Sequence, residues 1–260
     1  MPSVRDRAIS ILELLVRNVH GLPAHEIADQ SGIPRTAAHR LLVDLTEMGY
    51  VKQEPGSTQY VLTFRLASLG LSYLAASGIT DTAQPLLDDL ADATGELVRL
   101  AVVEGEQLIW IAKAQGARTG LRYDPDTGSD VYLPATANGL ALLAAVDEER
   151  ALQLIARQGL EKAASMGPGA PASMRELMER IEETRQRGYA VVFEAYEAGT
   201  SALAAAIRRA GDGEAIGTVS IAGPSIRLTV ERMSMLAPMV QECARQLAAI
   251  SMRGTGSGRR

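Results

Sequence analysis

Apolar residues return at three- and four-residue steps through Val4, Ala8, Ile11, Leu12, Leu15 and Val19, which predicts an amphipathic helix closed by His20-Gly21. After GLP, the run AHEIADQSG offers Ile27 and Ala28 to a core and stops at Gly32, predicting a second helix of about two turns. Pro34 suits a first helical position, and Ala37, Ala38, Leu41, Leu42, Leu45 and Met48 form the buried stripe of a third helix ended by Gly49. Arg35, Thr36, His39 and Arg40 fall on the opposite face of its N-terminal part. GYVKQ and QYVLT, separated by EPGST with turn chemistry at Pro55-Gly56, predict a hairpin. Helix, short helix, tight turn, helix with a basic N-terminal face and hairpin is the order of a winged helix-turn-helix, whose second motif helix enters the major groove. A helical pair with two arginines also describes a solvated surface; it is the order of the elements that favours DNA.

The next segment, FRLASLGLSYLAASG (Phe64 to Gly78), is apolar on nearly every helical face. Two readings stand side by side: a connecting helix packed into an intrachain core, or one packed partly against a second subunit. ITDTAQPLLDDLADATGE predicts a helix with a Thr/Asp cap running to Gly95, and LVRLAVVEG with QLIWIAKAQ predicts a strand hairpin around Glu104-Gly105-Glu106. The loop-rich GARTGLRYDPDTGSDVYLP has short strand potential at Leu121 to Tyr123. ATANGLALLAAV is helical, followed by DEERALQLIARQ, a loop with Pro168 and Pro171, and SMRELMERIEETRQRG with Ser173 and Glu176 as a capping box. YAVVF, SALAAAIRRA and AIGTVSIAG predict three strands, the last two joined by AGDGEA, before a final helix from Thr229 to Ser251. The whole is an α+β chain in which residues 80–252 form a largely antiparallel sheet with helices packed on it. Residues 253–260, from the tail RGTGSGRR, are read as disordered.

Charge narrows the picture only locally. The chain carries 26 basic and 31 acidic residues, a net charge of −5, yet residues 1–78 hold seven of each, so the acidic excess lies wholly in the second part. Such a first domain has modest nonspecific affinity for DNA by itself, which argues for a dimer. The single cysteine, Cys243, excludes an intrachain disulfide framework and suits a buried helical position in a reducing cytoplasm. Neither a signal-peptide core nor an apolar run of membrane-spanning length is evident, so export and membrane insertion are not expected.

The pattern gives catalysis no support. His20, His25 and His39 all lie in the first domain, and Cys243 has no base near it in sequence. There is no metal-ligand spacing, Walker loop or dinucleotide-binding glycine motif, hence no expected cofactor or metal. Glu194 and Glu197 are read as solvated strand-end or loop positions rather than as an acid and base.

VRDRAISILELL, PAHEIADQSGIPRTAAHRLLVDLTEMGYV, YVLTFRLASLG, LPATANGLALLA, RGYAVVFEAYEAGTSALAAAIR and GTVSIAGPSIRLT, in this order over essentially the whole chain, resemble the IclR family of bacterial transcriptional regulators. The resemblance implies a winged helix-turn-helix at residues 1–63, a linker helix at 64–79, and a GAF-like effector-binding domain at 80–252. It also implies a homodimer or dimer of dimers on palindromic promoter DNA. Arg35, Thr36, His39 and Arg40 fall on the recognition helix, and the ligand-facing turn falls on Thr136 to Gly139, where the N–H groups of Ala137 and Asn138 would hold an acidic effector. The other pocket positions fall on Val192, Ala202, Ser220 and Ala222, of which only Ser220 is polar. Members that bind small keto acids place polar side chains there; the familiar histidine before the turn is Pro134 and the lysine after its glycine is Leu140. The expectation is a larger, more apolar effector, an aromatic carboxylate or amide, with Ala202 and Ala222 leaving room for a ring; the alternative is that these alanines only pack the sheet. The resemblance favours repression relieved by ligand, although the family also has activators. The alternative to a DNA-binding regulator is a GAF-like small-molecule-binding or enzymatic protein whose first domain mediates protein contacts.

Overall fold

The structure, a computed structural model, describes residues 3–123 and 130–254, which fall into two compact units, one through Ala76 and the other from Ser77. In the first, α1 (Val4–Arg17) opens with a reciprocal cap: Asp6 N–H donates to Ser3 Oγ at 3.2 Å and Ser3 N–H donates to the Asp6 carboxylate at 2.7 Å. Ile11, Leu14 and Leu15 are its buried residues, whereas Val4 and Val19, both assigned to the stripe, are exposed. Val19 lies past the helix end at Arg17, and Val4 lies in the first turn, beyond the reach of the core. α2 (Ala24–Ser31) buries Ile27 and Ala28, and Gly32 ends it at φ 63, a left-handed conformation that a β-carbon would oppose. The chain thereby reverses within three residues, seats Ile33 in the core and starts α3 (Arg35–Glu47), with Pro34 as the residue before the helix rather than in its first turn.

Ala38, Leu41, Leu42 and Leu45 bury one side of α3, and Met48, beyond its end, is exposed. The hairpin forms from β2 (Val51–Gln53) and β3 (Gln59–Leu62). A further strand, β1 (Leu22–Pro23), pairs with β3, so the GLP read as a connection is the third strand of a small sheet. Two residues are too few to show a period. α4 (Arg65–Ser77) buries none of its residues, and Phe64, Leu71 and Tyr73 are 91%, 68% and 70% exposed. The intrachain-core reading of this segment is therefore overturned.

The second unit is a five-stranded, wholly antiparallel sheet between two layers of helices. Its strands β4 (Leu97–Glu104), β5 (Gln107–Gln115), β6 (Ala190–Phe193), β7 (Thr200–Arg208) and β8 (Ala215–Pro224) stand in the order β5-β4-β8-β7-β6. On one face α5 (Ile79–Thr94) and α9 (Val230–Gly254) cover Val98, Leu100, Leu203 and Ile221, with Cys243 buried among them. On the other, α6 (Ala137–Ala145), α7 (Glu148–Gln158) and α8 (Met174–Arg187) cover Ala101, Trp110, Val192 and Ala204. Every residue of α6 from Ala137 to Ala144 is buried, which is why its sequence is apolar all round.

Several local expectations need correction. α5 has Gly78 at its cap with no side-chain bond, and the Thr82 hydroxyl instead donates back to Gly78 O at 2.6 Å. Leu121 to Tyr123 form no strand. At α8 the Ser173 half of the capping box is present, but the Glu176 carboxylate takes the N–H of Ala172 rather than that of Ser173. α9 runs on to Gly254, through the first two residues of the stretch read as disordered; residues 255–260, like the loop residues 124–129, lie outside the described residues. Glu194 closes β6 at φ 51 and accepts a hydrogen bond from Ser225 Oγ at 2.6 Å, a strand-end role.

Candidate functional site

The face of the sheet under α6 carries the site. Thr136 caps α6, its Oγ accepting from Gly139 N–H at 3.0 Å and donating to Tyr132 O at 2.8 Å. The amides of Ala137 and Asn138 open the helix and have no acceptor within it, because the carbonyls four residues back precede the first turn. Thr136, Ala137 and Asn138 meet Val192, Ala202, Ser220 and Ala222 around one cavity of about 40 Å³, so all seven positions come together. The Asn138 side chain is committed elsewhere, with Nδ2 donating to Thr218 Oγ at 2.8 Å, which pins α6 to β8.

The same cavity is lined by Arg99, Trp110, Tyr123, Tyr196, Thr200 and Ser201, none of which the motif comparison supplied. A bulge places Leu100 opposite Ala112 and Ala101 opposite Trp110, leaving Ile111 unmatched. Trp110 thus lies diagonally across from Arg99, and the guanidinium carbon sits 3.3 Å from the indole ring centre. Arg99 is only 4% exposed, and burial draws its pKa down to about 10, with Tyr123 and Tyr196 acting in the opposite sense. It is still a cation at neutral pH. Burial likewise pushes the Tyr123 phenol up to about 12 against the pull of Arg99. The Trp110 indole N–H is buried without an acceptor among the described residues.

Two expectations change. The pocket is not poor in polar partners, since a buried cation and several hydroxyls surround it. Nor do Ala202 and Ala222 leave room for a ring: 40 Å³ holds a water or two, whereas a cavity that admits benzene is about 150 Å³. One signal for Arg99 was in the sequence, a charge flanked on both sides by apolar residues within LVRLAVVEG.

In the first unit Arg35, Thr36, His39 and Arg40 are all exposed on the opening turns of α3. Arg35 pairs with Asp29 of α2 at 3.2 Å, and Arg40 makes no ion pair among the described residues. Thr63 fastens the hairpin behind α3, its hydroxyl donating to Gly49 O at 2.6 Å.

Comparison with known proteins decides what this pairing of units is. Residues 5–55 match the IclR helix-turn-helix domain, and residues 71–249 match the bacterial transcriptional regulator IclR C-terminal domain. The chain belongs to the IclR family. Similar relatives include the HTH-type transcriptional regulator BhcR of Paracoccus denitrificans, 30% identical over 94% of this chain and 85% of that one. The transcriptional repressor IclR of Escherichia coli K12 is 27% identical over 93% of this chain and 87% of its own length. Among solved structures, an IclR homolog from Microbacterium hydrocarbonoxydans complexed with 4-hydroxybenzoate superposes with a TM-score of 0.77 at 21% identity, covering 96% of this chain and 99% of that one. An IclR-family chain is a DNA-binding transcriptional regulator and not an enzyme. No helix among the described residues is long and apolar enough to cross a membrane.

Proposed function

We propose that this IclR-family regulator is a ligand-relieved repressor of a catabolic operon in the cytoplasm, and that its effector is an aromatic or otherwise largely apolar carboxylate. The observation that carries this reading is the meeting of the buried Arg99 guanidinium with the first turn of α6 at one cavity. A cation and a helix N-terminus both favour an anion, and a carboxylate uses both. Trp110, Val192, Ala202 and Ala222 then face the apolar part of the ligand. An amide would use the helix amides but not the guanidinium charge, so the carboxylate is favoured. A protein of this fold in complex with 4-hydroxybenzoate supports the aromatic reading at the level of the fold. The cavity must widen to admit a ring, and Tyr123 and Tyr196 are the side chains at hand to move.

Arg35, Thr36, His39 and Arg40 carry the DNA contacts in this reading, Arg35 exchanging Asp29 for a phosphate or a guanine edge. The exposed apolar surface of α4 is covered by a second copy, giving a dimer or dimer of dimers on a palindromic operator. Fluorescence anisotropy with a labelled fragment from upstream of the protein's own gene, at two salt concentrations, tests the reading. Steep salt dependence and release by benzoate or 4-hydroxybenzoate, but not by glyoxylate or benzamide, are expected. Ala202→Phe should abolish release while leaving ligand-free binding intact; release of the wild type by glyoxylate at equal affinity would overturn the effector class.

A further inference from the structure

A second, larger concavity lies at the other end of the same domain. It is an open groove of about 680 Å³ walled by the last turns of α6, the end of α8, the end of β7 and the last turns of α9. That volume lies in the range of small-molecule sites. Nine of its sixteen lining residues are alanines, so the groove exists because short side chains leave it unfilled. Alanines alone specify nothing, but two further observations do. Thr184 lines the groove and is 3% exposed, and its buried hydroxyl makes no hydrogen bond among the described residues, which is costly unless a ligand or water atom reaches it. Three arginines, Arg185, Arg208 and Arg245, stand around the alanines. Arg185 pairs with Glu182 and Arg245 with Glu242, neither of which lines the groove, while Arg208 has no carboxylate partner among the described residues.

The floor of the groove narrows the choice of occupant. β6 begins at Ala190, opposite Ala204, so the outer edge of β7 from Ala205 onward is left open. An added strand would find only four residues there, interrupted by the irregularity between Ile207 and Arg208 and by the charge of Arg208 itself. Short, kinked, charged edges resist strand addition. A small molecule meets no such obstacle.

We infer that this groove is a second ligand site, separate from the effector cavity, for an amphipathic organic anion: a hydrocarbon chain lies along the alanines, its carboxylate rests at Arg208, and a carboxylate oxygen or bound water answers Thr184. α6 connects the two sites, with Ala137 and Asn138 at the effector cavity and Ala141, Ala144 and Ala145 at the groove, and nine helical residues span only about 14 Å.

Octanoate is the probe, titrated by calorimetry into the full-length protein, with 1-octanol as its uncharged counterpart. Saturable binding of one octanoate per chain at the groove is expected, counted in Ala202→Phe so that the effector cavity, which also suits an apolar carboxylate, takes none, with octanol at least about tenfold weaker for want of the charge-assisted bond. Ala206→Trp, which fills the groove, and Arg208→Glu, which reverses its charge, should each weaken octanoate about tenfold or more. Thr184→Val should weaken it about threefold without lowering the melting temperature, because the hydroxyl has no partner to lose. Should Ala206→Trp fail to fold, the other two variants still decide. Ala202→Phe, which blocks the effector cavity, should leave octanoate binding at the groove unchanged. Absence of saturable binding, equal affinity for octanol, or loss of octanoate binding in Ala202→Phe would each overturn the assignment. So would groove variants that shift the sedimentation coefficient but not the isotherm, since a second copy would then occupy the groove.

Discussion

Gly139→Ala sets two measurable effects against each other at the helix that faces the effector cavity. Alanine is the better helix former by about 1 kcal/mol, so propensity alone predicts a stabilised protein. The structure predicts the reverse. A β-carbon on Gly139 would fall upon the backbone carbonyl and Cα of Leu133 and lie 2.6 Å from its carbonyl carbon, where ordinary contact needs about 3.5 Å. No rotamer relieves the overlap, because backbone stands on both sides. Leu133 is itself held by its N–H, which donates to Gln158 Oε1 at 2.8 Å. The start of α6 must therefore move, at the upper end of the 1–3 kcal/mol typical of overpacking, leaving a net loss of about 2 kcal/mol. For a unit of this size that is a fall in melting temperature of about 4–8 °C. Differential scanning calorimetry reads it directly, and calorimetric titration of the effector should show weaker binding as the amides of Ala137 and Asn138 shift. A variant that melts higher than wild type would refute the packing argument, because it would show that α6 can lift from Leu133 at no cost.

Arg40→Ala should weaken specific operator binding by about 1–3 kcal/mol in anisotropy titrations with no change in melting temperature, whereas a merely solvated arginine would leave the affinity unchanged. Arg227→Met should destabilise the second domain by about 3 kcal/mol or less in urea, because Glu96, which is 0% exposed, keeps Arg232 at 2.8 Å while losing a bidentate partner at 2.7 and 2.8 Å. It should also alter effector affinity without touching the cavity; an unchanged isotherm would sever that link. Burial pushes the Cys243 thiol up to about 12 from 9.0, so native protein at pH 8.5 should resist a disulfide thiol reagent that labels it in guanidinium. The unfolded thiol ionises first, so this residue removes stability as the pH rises above about 9, and fast native labelling would contradict its burial.

The elements that were legible in the sequence are those with a period. The stripe of α3, the β4–β5 hairpin and the three late strands each alternate or recur over enough residues to declare themselves. What escaped was either too short for a period, like β1, or settled by distant residues. Val4 and Leu14 illustrate the second case: one is apolar yet lies beyond the core, the other sits beside the expected stripe and enters it. The site divides the same way. Positions carried over by motif, from Thr136 to Ala222, converge on one cavity, because the register of β6, β7 and β8 sets Val192, Ala202 and Ala222 in one row. Arg99 escaped because its partner is chosen by a bulge: only the extra residue at Ile111 brings Trp110 beside it, and no local pattern announces a bulge.

That geometry also limits how a ligand can act. A cavity of 40 Å³ must open to hold a carboxylate with a ring, and its walls differ in what they can yield. α6 is fixed at its first turn by Asn138 to Thr218 and by the contact of Gly139 with Leu133, and the strands are fixed by their ladders. Tyr123 is held differently, by backbone bonds near its own side chain: Gln115 Nε2 donates to Tyr123 O at 2.9 Å and Arg227 donates to Leu121 O at 3.0 Å. Displacing Tyr123 therefore loads Arg227, which shares the buried Glu96 with Arg232 of α9, and Arg232 also donates to Thr94 O at the end of α5 at 2.7 Å. α5 begins at Ile79, directly after α4 and Gly78 in the chain. In the proposed reading, an effector that moves Tyr123 would perturb the buried ion-pair cluster of Glu96, Arg227 and Arg232, which reaches the helix nearest the DNA-binding unit in sequence, and it would shift the DNA-binding equilibrium only by the difference in its affinity for the open and closed cavity.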